Sequence, residues 1–175
     1  MAWQIRQFTL GDGGGFAIAM VNKDITNLCA QIEMYRSTGT VASPETSKNG
    51  IWPDGHPKDH QYSSAFFLTR EALADYFAAV EDPSPIIAEL LNVKAQGYIV
   101  ISQPLDPGVL ARTLLHEFCH LLYRHQPRFQ KLVHRIVDQA SETEAEYVRS
   151  GLKGLGYSED RYYEEFAARM VEDQV

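Results

Sequence analysis

Apolar and polar residues alternate roughly through residues 3–10, "WQIRQFTL", the period of two expected of a half-buried strand. "FAIAMVN" at 16–22 continues as a second strand, and "GDGGG" between the two predicts a hairpin turn. The period then changes. Ile25, Leu28, Ile32 and Tyr35 recur every three or four residues, so a helix is expected from an Asp24 N-cap to Gly39. Residues 40–64 hold Pro44, Gly50, Pro53, Gly55 and Pro57 among Ser, Thr, Asn and Lys, which reads as a long loop, a lid or binding loop by length. Helical spacing returns in "LTREALADYFAAVED", beginning near Thr69. It returns again in "SPIIAELLNV", with Ser84 as N-cap and Pro85 at the first helical position.

"GYIVISQPL" at 97–105 is the clearest strand, β-branched and bounded by Gly97 and Pro104. Asp106 or Pro107 opens the next helix. "RFQKLVHRIVDQASETEAEYVRSGLKGLG" is helical in pattern until Gly151, Gly154 and Gly156 loosen it, and Ser158 caps a last helix, "SEDRYYEEFAARMVEDQ". There is no internal repeat, linker or shift of composition, so one α+β domain over residues 1–175 is expected, with a small sheet and a mainly helical C-terminal half.

Composition narrows the picture a little. With 175 residues, 45% hydrophobic and 22% charged, the chain can bury a core of ordinary globular kind. A net charge of −7 argues against nucleic acid or an anionic membrane as partner. No apolar run approaches membrane-spanning length and the N-terminal stretch is polar, so the expected location is cytoplasmic, or outside the cell by export without a cleaved signal. Cys29 and Cys119 match no zinc-binding pair and are expected as buried thiols.

The chemistry concentrates in "LLHEFCHLLY", 114–123. Residues four apart on a helix stand one above the other, so His116 and His120 can aim ring nitrogens at one point. Glu117 is rotated by about 100° from His116 and stands close without having to bind. This is the H-E-x-x-H arrangement: two imidazoles hold zinc, and the glutamate acts as general base on a water whose proton the cation loosens. The flanks Leu114, Leu115, Phe118, Cys119, Leu121 and Leu122 carry no charge or proline, as a buried active helix requires.

A catalytic zinc needs a third protein ligand. His125 lies about 140° around the helix from His120 and cannot share its face. His134, in "KLVHRIV", fits a surface or core role better, and His56 and His60 fall in the long loop. The H-E-x-x-H-x-x-G-x-x-H extension is absent, because Tyr123 and Gln126 stand at its glycine and third histidine. Glu142, Glu144 and Glu146 show nothing beyond a solvated face. Glu164 and Glu165 lie in a helix otherwise apolar on one side, with Tyr162, Phe166 and Met170. A carboxylate near such a face needs a partner, and a metal is one.

H-E-x-x-H followed some forty residues later by "EEFA", 164–167, resembles the gluzincin metallopeptidases, whose third ligand is the Glu of an E-x-F-A motif. The resemblance covers about residues 97–171 and is nearest to the compact members related to anthrax lethal factor and the Pro-Pro endopeptidases. It implies a zincin-like fold, Zn2+ held by His116, His120 and Glu164, with Glu165 as the alternative, and Glu117 as base. It further implies Tyr157, seven residues before Glu164, as donor to the oxyanion, with Tyr162 and Tyr163 as alternatives. Strand "GYIVIS" would form the cleft's rim and pair with substrate. The function expected is a zinc peptidase, an endopeptidase by preference, acting on a peptide or on a host or partner protein. A zinc hydrolase of another amide and a non-catalytic peptide-binding module are the rival readings.

Overall fold

A computed structural model of the chain describes residues 3–10, 14–26, 28–29, 32, 65–79, 84–103, 105–154 and 159–172. The long loop expected at 40–64, with His56 and His60, lies outside the described residues, as does Tyr157. The architecture is mixed α+β, a small four-stranded sheet with mainly helical structure around it in sequence. Two compact units divide the chain, Met1–Leu105 and Asp106–Val175.

The first unit carries the sheet. Its strands are β1 (Gln4–Thr9), β2 (Gly15–Val21), β3 (Ala65–Thr69) and β4 (Gly97–Ser102), in the order β1-β2-β4-β3. β1 and β2 form the antiparallel hairpin foreseen from the turn residues, with Gln4 opposite Met20 and Thr9 opposite Gly15. β4 runs parallel to β2 on one side and antiparallel to β3 on the other. That central place explains its unbroken apolar run, since Gly97 to Ile101 are all buried. β1 is an edge strand and its residues are exposed except for half-buried Ile5.

Helices α1 (Arg70–Ala79) and α2 (Pro85–Asn92) belong to the same unit, and its described residues at 23–26, 28–29 and 32 are helical too. Leu73, Tyr76, Ile86, Ile87 and Leu90 join Ala17, Ala19, Tyr98 and Val100 in one apolar cluster that also takes in Cys29 and Ile32. Arg70 ties the cluster's edge: one guanidinium nitrogen donates to the Val93 carbonyl at 2.9 Å and to the Tyr98 hydroxyl at 3.0 Å, the other to the Leu91 carbonyl at 3.0 Å. The sequence pattern missed β3. "AFFLT" stands between the long loop and a helix, and its period of two is too short to register. Its pairing with β4 supplies what local periodicity does not. At Gly97 a Cβ atom would come within 2.6 Å of the Phe67 ring, so any other residue there would force that ring to move.

The second unit is helical: α3 (Pro107–His125), α4 (Pro127–Asp138), α5 (Glu142–Gly154), a 3-10 turn (Glu159–Arg161) and α6 (Tyr162–Glu172). Asp106 caps α3 by accepting from the Gly108 amide at 2.9 Å, with Pro107 in the first turn. Arg124 falls in its last turn, where a cation complements the helix dipole. The single helical pattern expected across 128–156 breaks between Asp138 and Glu142. There Ser141 and Glu144 form a capping box: the Glu144 amide donates to the Ser141 hydroxyl, and the Glu144 carboxylate accepts from the Ser141 amide at 2.9 Å and its hydroxyl at 2.6 Å. The signal S-x-x-E is present in "SETE" and outweighs the continuing apolar period. Among the described residues no helix is long and apolar enough to cross a membrane. Both cysteines are buried and unpaired with each other, as expected.

Candidate metal centre

α3 and α6 pack along each other, and both bury ionisable groups beside apolar ones such as Leu121 and Ala168. Glu117 and His120 from α3, with Glu164 and Glu165 from α6, are all buried. Ionisable groups at such density need mutual compensation, because an unpaired buried charge is expensive.

One helical turn brings the two imidazoles together. Nε2 of His116 and Nε2 of His120 are 3.1 Å apart, and the rings stand edge to face with centroids 4.9 Å apart. Glu165 reaches across from α6: its Oε1 is 3.6 Å from His120 Nε2, and its Oε2 is 3.9 Å from His116 Nε2. His116, His120 and Glu165 each offer a ligand atom, all within 4.8 Å of one another. Zn–N and Zn–O bonds of about 2.0–2.2 Å at tetrahedral angles separate neighbouring ligand atoms by about 3.3–3.6 Å. The observed spacings bracket that distance.

The donor set fits a cation in a second respect. Glu165 Oε2 is fully buried and has no hydrogen-bond partner among the described residues. Burial, the strongest influence on it, pushes the Glu165 carboxyl above its ordinary pKa, although His120, Arg161 and Arg169 pull the other way. A divalent ion at the shared point would satisfy that oxygen and reverse the shift.

Glu164 departs from the expectation that it is the third ligand. Its Oε1 accepts from His120 Nδ1 at 2.9 Å and from Arg124 Nε at 2.8 Å, and its Oε2 faces Arg124 Nη2 at 3.4 Å. It therefore touches the ring nitrogen that points away from the shared point. Despite burial, which raises it, the hydrogen bond from His120 and the Arg124 charge hold the Glu164 carboxyl down at about 2. The geometry sets Glu165, the alternative named from the sequence, beside both Nε2 atoms and Glu164 beside His120 Nδ1. Glu164 and Glu165 are neighbours on one helix and so differ by about 100° in direction. Only the packing against α3 selects which one meets both Nε2 atoms.

The Glu164 contact also sets the tautomer of His120. A carboxylate accepts, so in the neutral ring Nδ1 carries the proton and Nε2 keeps its lone pair toward the shared point, an arrangement common to metal-binding histidines. His116 is pushed down to about 3, first by burial and then by the neighbouring His120 and Arg169, so its ring is neutral at pH 7. For His120 burial lowers the pKa, but the Glu164 hydrogen bond and the charges of Glu117, Glu165 and Glu164 outweigh it and the net shift is upward. Glu117 is thus close enough for its charge to act on His120, and it is 8% exposed.

The other candidates are engaged elsewhere. His134 accepts from or donates to the Tyr123 hydroxyl at 2.8 Å and stacks on Tyr163 with ring centroids 4.0 Å apart. The Tyr163 hydroxyl donates to Asp138 at 2.9 Å, and Tyr162 faces a groove with Ile136 and Phe166. Neither alternative tyrosine is turned to the His116–His120 pair by these contacts. Glu142, Glu144 and Glu146 are exposed on α5, and Glu144 is spent on its cap. Cys119 is buried and takes no part in the donor group. Arg124 was not foreseen. The signal was available: it follows His120 by four residues and so continues the same helix face. Comparison with protein-family models, with curated proteins and with solved structures finds no match to this chain.

Proposed function

We propose that this chain is a zinc-dependent peptidase of zincin-like fold that hydrolyses a peptide bond within a peptide or protein substrate. The observation that carries the reading is the convergence of His116 Nε2, His120 Nε2 and the Glu165 carboxylate on one buried point, with Glu117 on the turn between the two histidines. His116, His120 and Glu165 would hold the ion. When bound, zinc supplies Lewis-acid charge that polarises a carbonyl and makes water more acidic.

The remaining work belongs to the protein's own groups. Glu164 fixes the His120 ring through Nδ1, and Arg124 fixes Glu164. Glu117 takes the proton of the attacking water and returns it to the departing amine, so one carboxylate serves as base and then acid. The buried setting strengthens each of these interactions, because little water remains to screen them. Tyr157 stays the proposed donor to the developing oxyanion on the resemblance alone. An endopeptidase is preferred, since no feature of the sequence marks capture of a free chain terminus.

The test is incubation of the zinc-loaded protein with a mixed peptide library and mass spectrometry of the products. Cleavage by the parent and none by Glu117→Gln, at equal zinc content, is expected. Equal cleavage by both, or zinc without any cleavage, would reject the peptidase reading.

A further inference from the structure

In the second unit α4, α5 and α6 leave a groove of about 720 Å³ whose lining includes none of His116, His120 and Glu165. Its floor is apolar: Ile136 and Val137 from α4, Val148 from α5, and Phe166 and Met170 from α6. Ile136 and Met170 are each 49% exposed. Single exposed apolar residues are ordinary on any protein, but these two flank one continuous depression of ligand-pocket size. The rim is acidic. Among the described residues, Glu144, Glu146 and Glu159 line it against one guanidinium, Arg149. The carboxylates of Glu144 and Glu146 take hydroxyl donors from Ser141 and Ser150, which orients them and leaves their charge in place.

We propose that this groove docks a cationic amphipathic helix of another protein, with bulky apolar side chains on the Phe166–Met170 floor and lysines or arginines against the glutamate rim. An apolar stripe at i, i+3, i+4 and i+7 is how such helices enter a groove. Charge selects the occupant. A second copy seated groove to groove would set one glutamate rim against another, and nucleic acid or an anionic lipid surface would set phosphates against it. A basic helix alone satisfies both floor and rim.

The probe is a fluorescein-labelled helical peptide of leucine and lysine, about 18 residues or roughly 27 Å long, with a leucine–glutamate peptide of the same apolar stripe as its pair. Binding is read by fluorescence anisotropy in EDTA, which removes metal-dependent cleavage from the assay. The lysine peptide should saturate at micromolar concentration and bind at least about tenfold tighter than the glutamate peptide. Met170→Glu and Ile136→Asp, at half-exposed positions, should each weaken it by about tenfold or more. The pair Glu144→Lys and Glu159→Lys should weaken it similarly and flatten its salt dependence. Circular dichroism checks that each variant keeps its helices, and the two floor variants keep the test standing if either fails to fold. Equal binding of both peptides, or insensitivity to the floor and rim substitutions, would overturn the proposal. So would self-association abolished by Met170→Glu, which would make the occupant a second copy.

Discussion

Replacing Glu164 and Glu165 separately by glutamine should change metal affinity and metal-free stability in opposite proportions. If Glu165 is a ligand, Glu165→Gln removes one of the donors to the ion. Structural zinc sites bind with about 10–16 kcal/mol, and an even division over four ligands gives about 2.5–4 kcal/mol for one. Affinity should fall by roughly 10²- to 10³-fold. Glu164→Gln removes only the group that orients His120, and such outer partners are worth about 10- to 100-fold.

The metal-free protein should respond the other way. Glu165 is buried, its Oε2 lacks a hydrogen bond, and its pKa is raised. An acid with a raised folded pKa costs stability above its unfolded pKa, so the neutral amide should leave the melting temperature unchanged or higher at pH 7. Glu164 is paired to both His120 and Arg124, and its lowered pKa means its charge stabilises the fold above the unfolded value. Losing its charge deprives the Arg124 guanidinium of that carboxylate. Breaking a fully buried pair costs about 3–5 kcal/mol, and since the Arg124 side chain is 21% exposed the expectation here is about 2–4 kcal/mol. That lowers the melting temperature by roughly 4–16 °C for a chain of this size. Zinc competition against a chelating dye and thermal melts in EDTA measure the two quantities. A larger affinity loss in Glu164→Gln, with the larger stability loss in Glu165→Gln, would refute the assignment.

Three further outcomes are expected. Zinc affinity should fall as pH drops from about 8 to 5, because His120 and Glu165 both have raised pKa values in the metal-free protein and must lose their protons to bind; a flat profile by dye competition would contradict this. Arg124→Met should weaken zinc binding through Glu164, and Arg124→Lys should recover only part of it, since lysine cannot repeat the two-nitrogen contact, as the same titration would show. Ser141→Ala should lower the melting temperature by about 2–4 °C through loss of roughly 1 kcal/mol of capping and leave zinc affinity unchanged, by calorimetry and dye titration.

What the sequence made legible follows physical range. The hairpin β1–β2, the buried strand β4 and the helix carrying His116 and His120 declare themselves within a few residues, through turn chemistry, β-branching and four-residue spacing. β3 did not, because "AFFLT" becomes a strand only by pairing with β4. The break between α4 and α5 was written in Ser141 and Glu144, but the apolar period runs across it and obscured the cap. The presence of a carboxylate partner in α6 was legible from "EEFA". That Glu165 and not Glu164 stands beside both Nε2 atoms was not, since two adjacent residues on one helix are distinguished only by how α6 rotates against α3.

The central claim is that His116, His120 and Glu165 share one divalent ion. Crystals of the zinc-loaded protein, measured on both sides of the zinc absorption edge, test it most directly. The account predicts a single anomalous peak about 2.0–2.2 Å from His116 Nε2, His120 Nε2 and a Glu165 oxygen, with Glu164 still on His120 Nδ1. No peak at that point, or a peak bonded to Glu164 with Glu165 turned away, would contradict it.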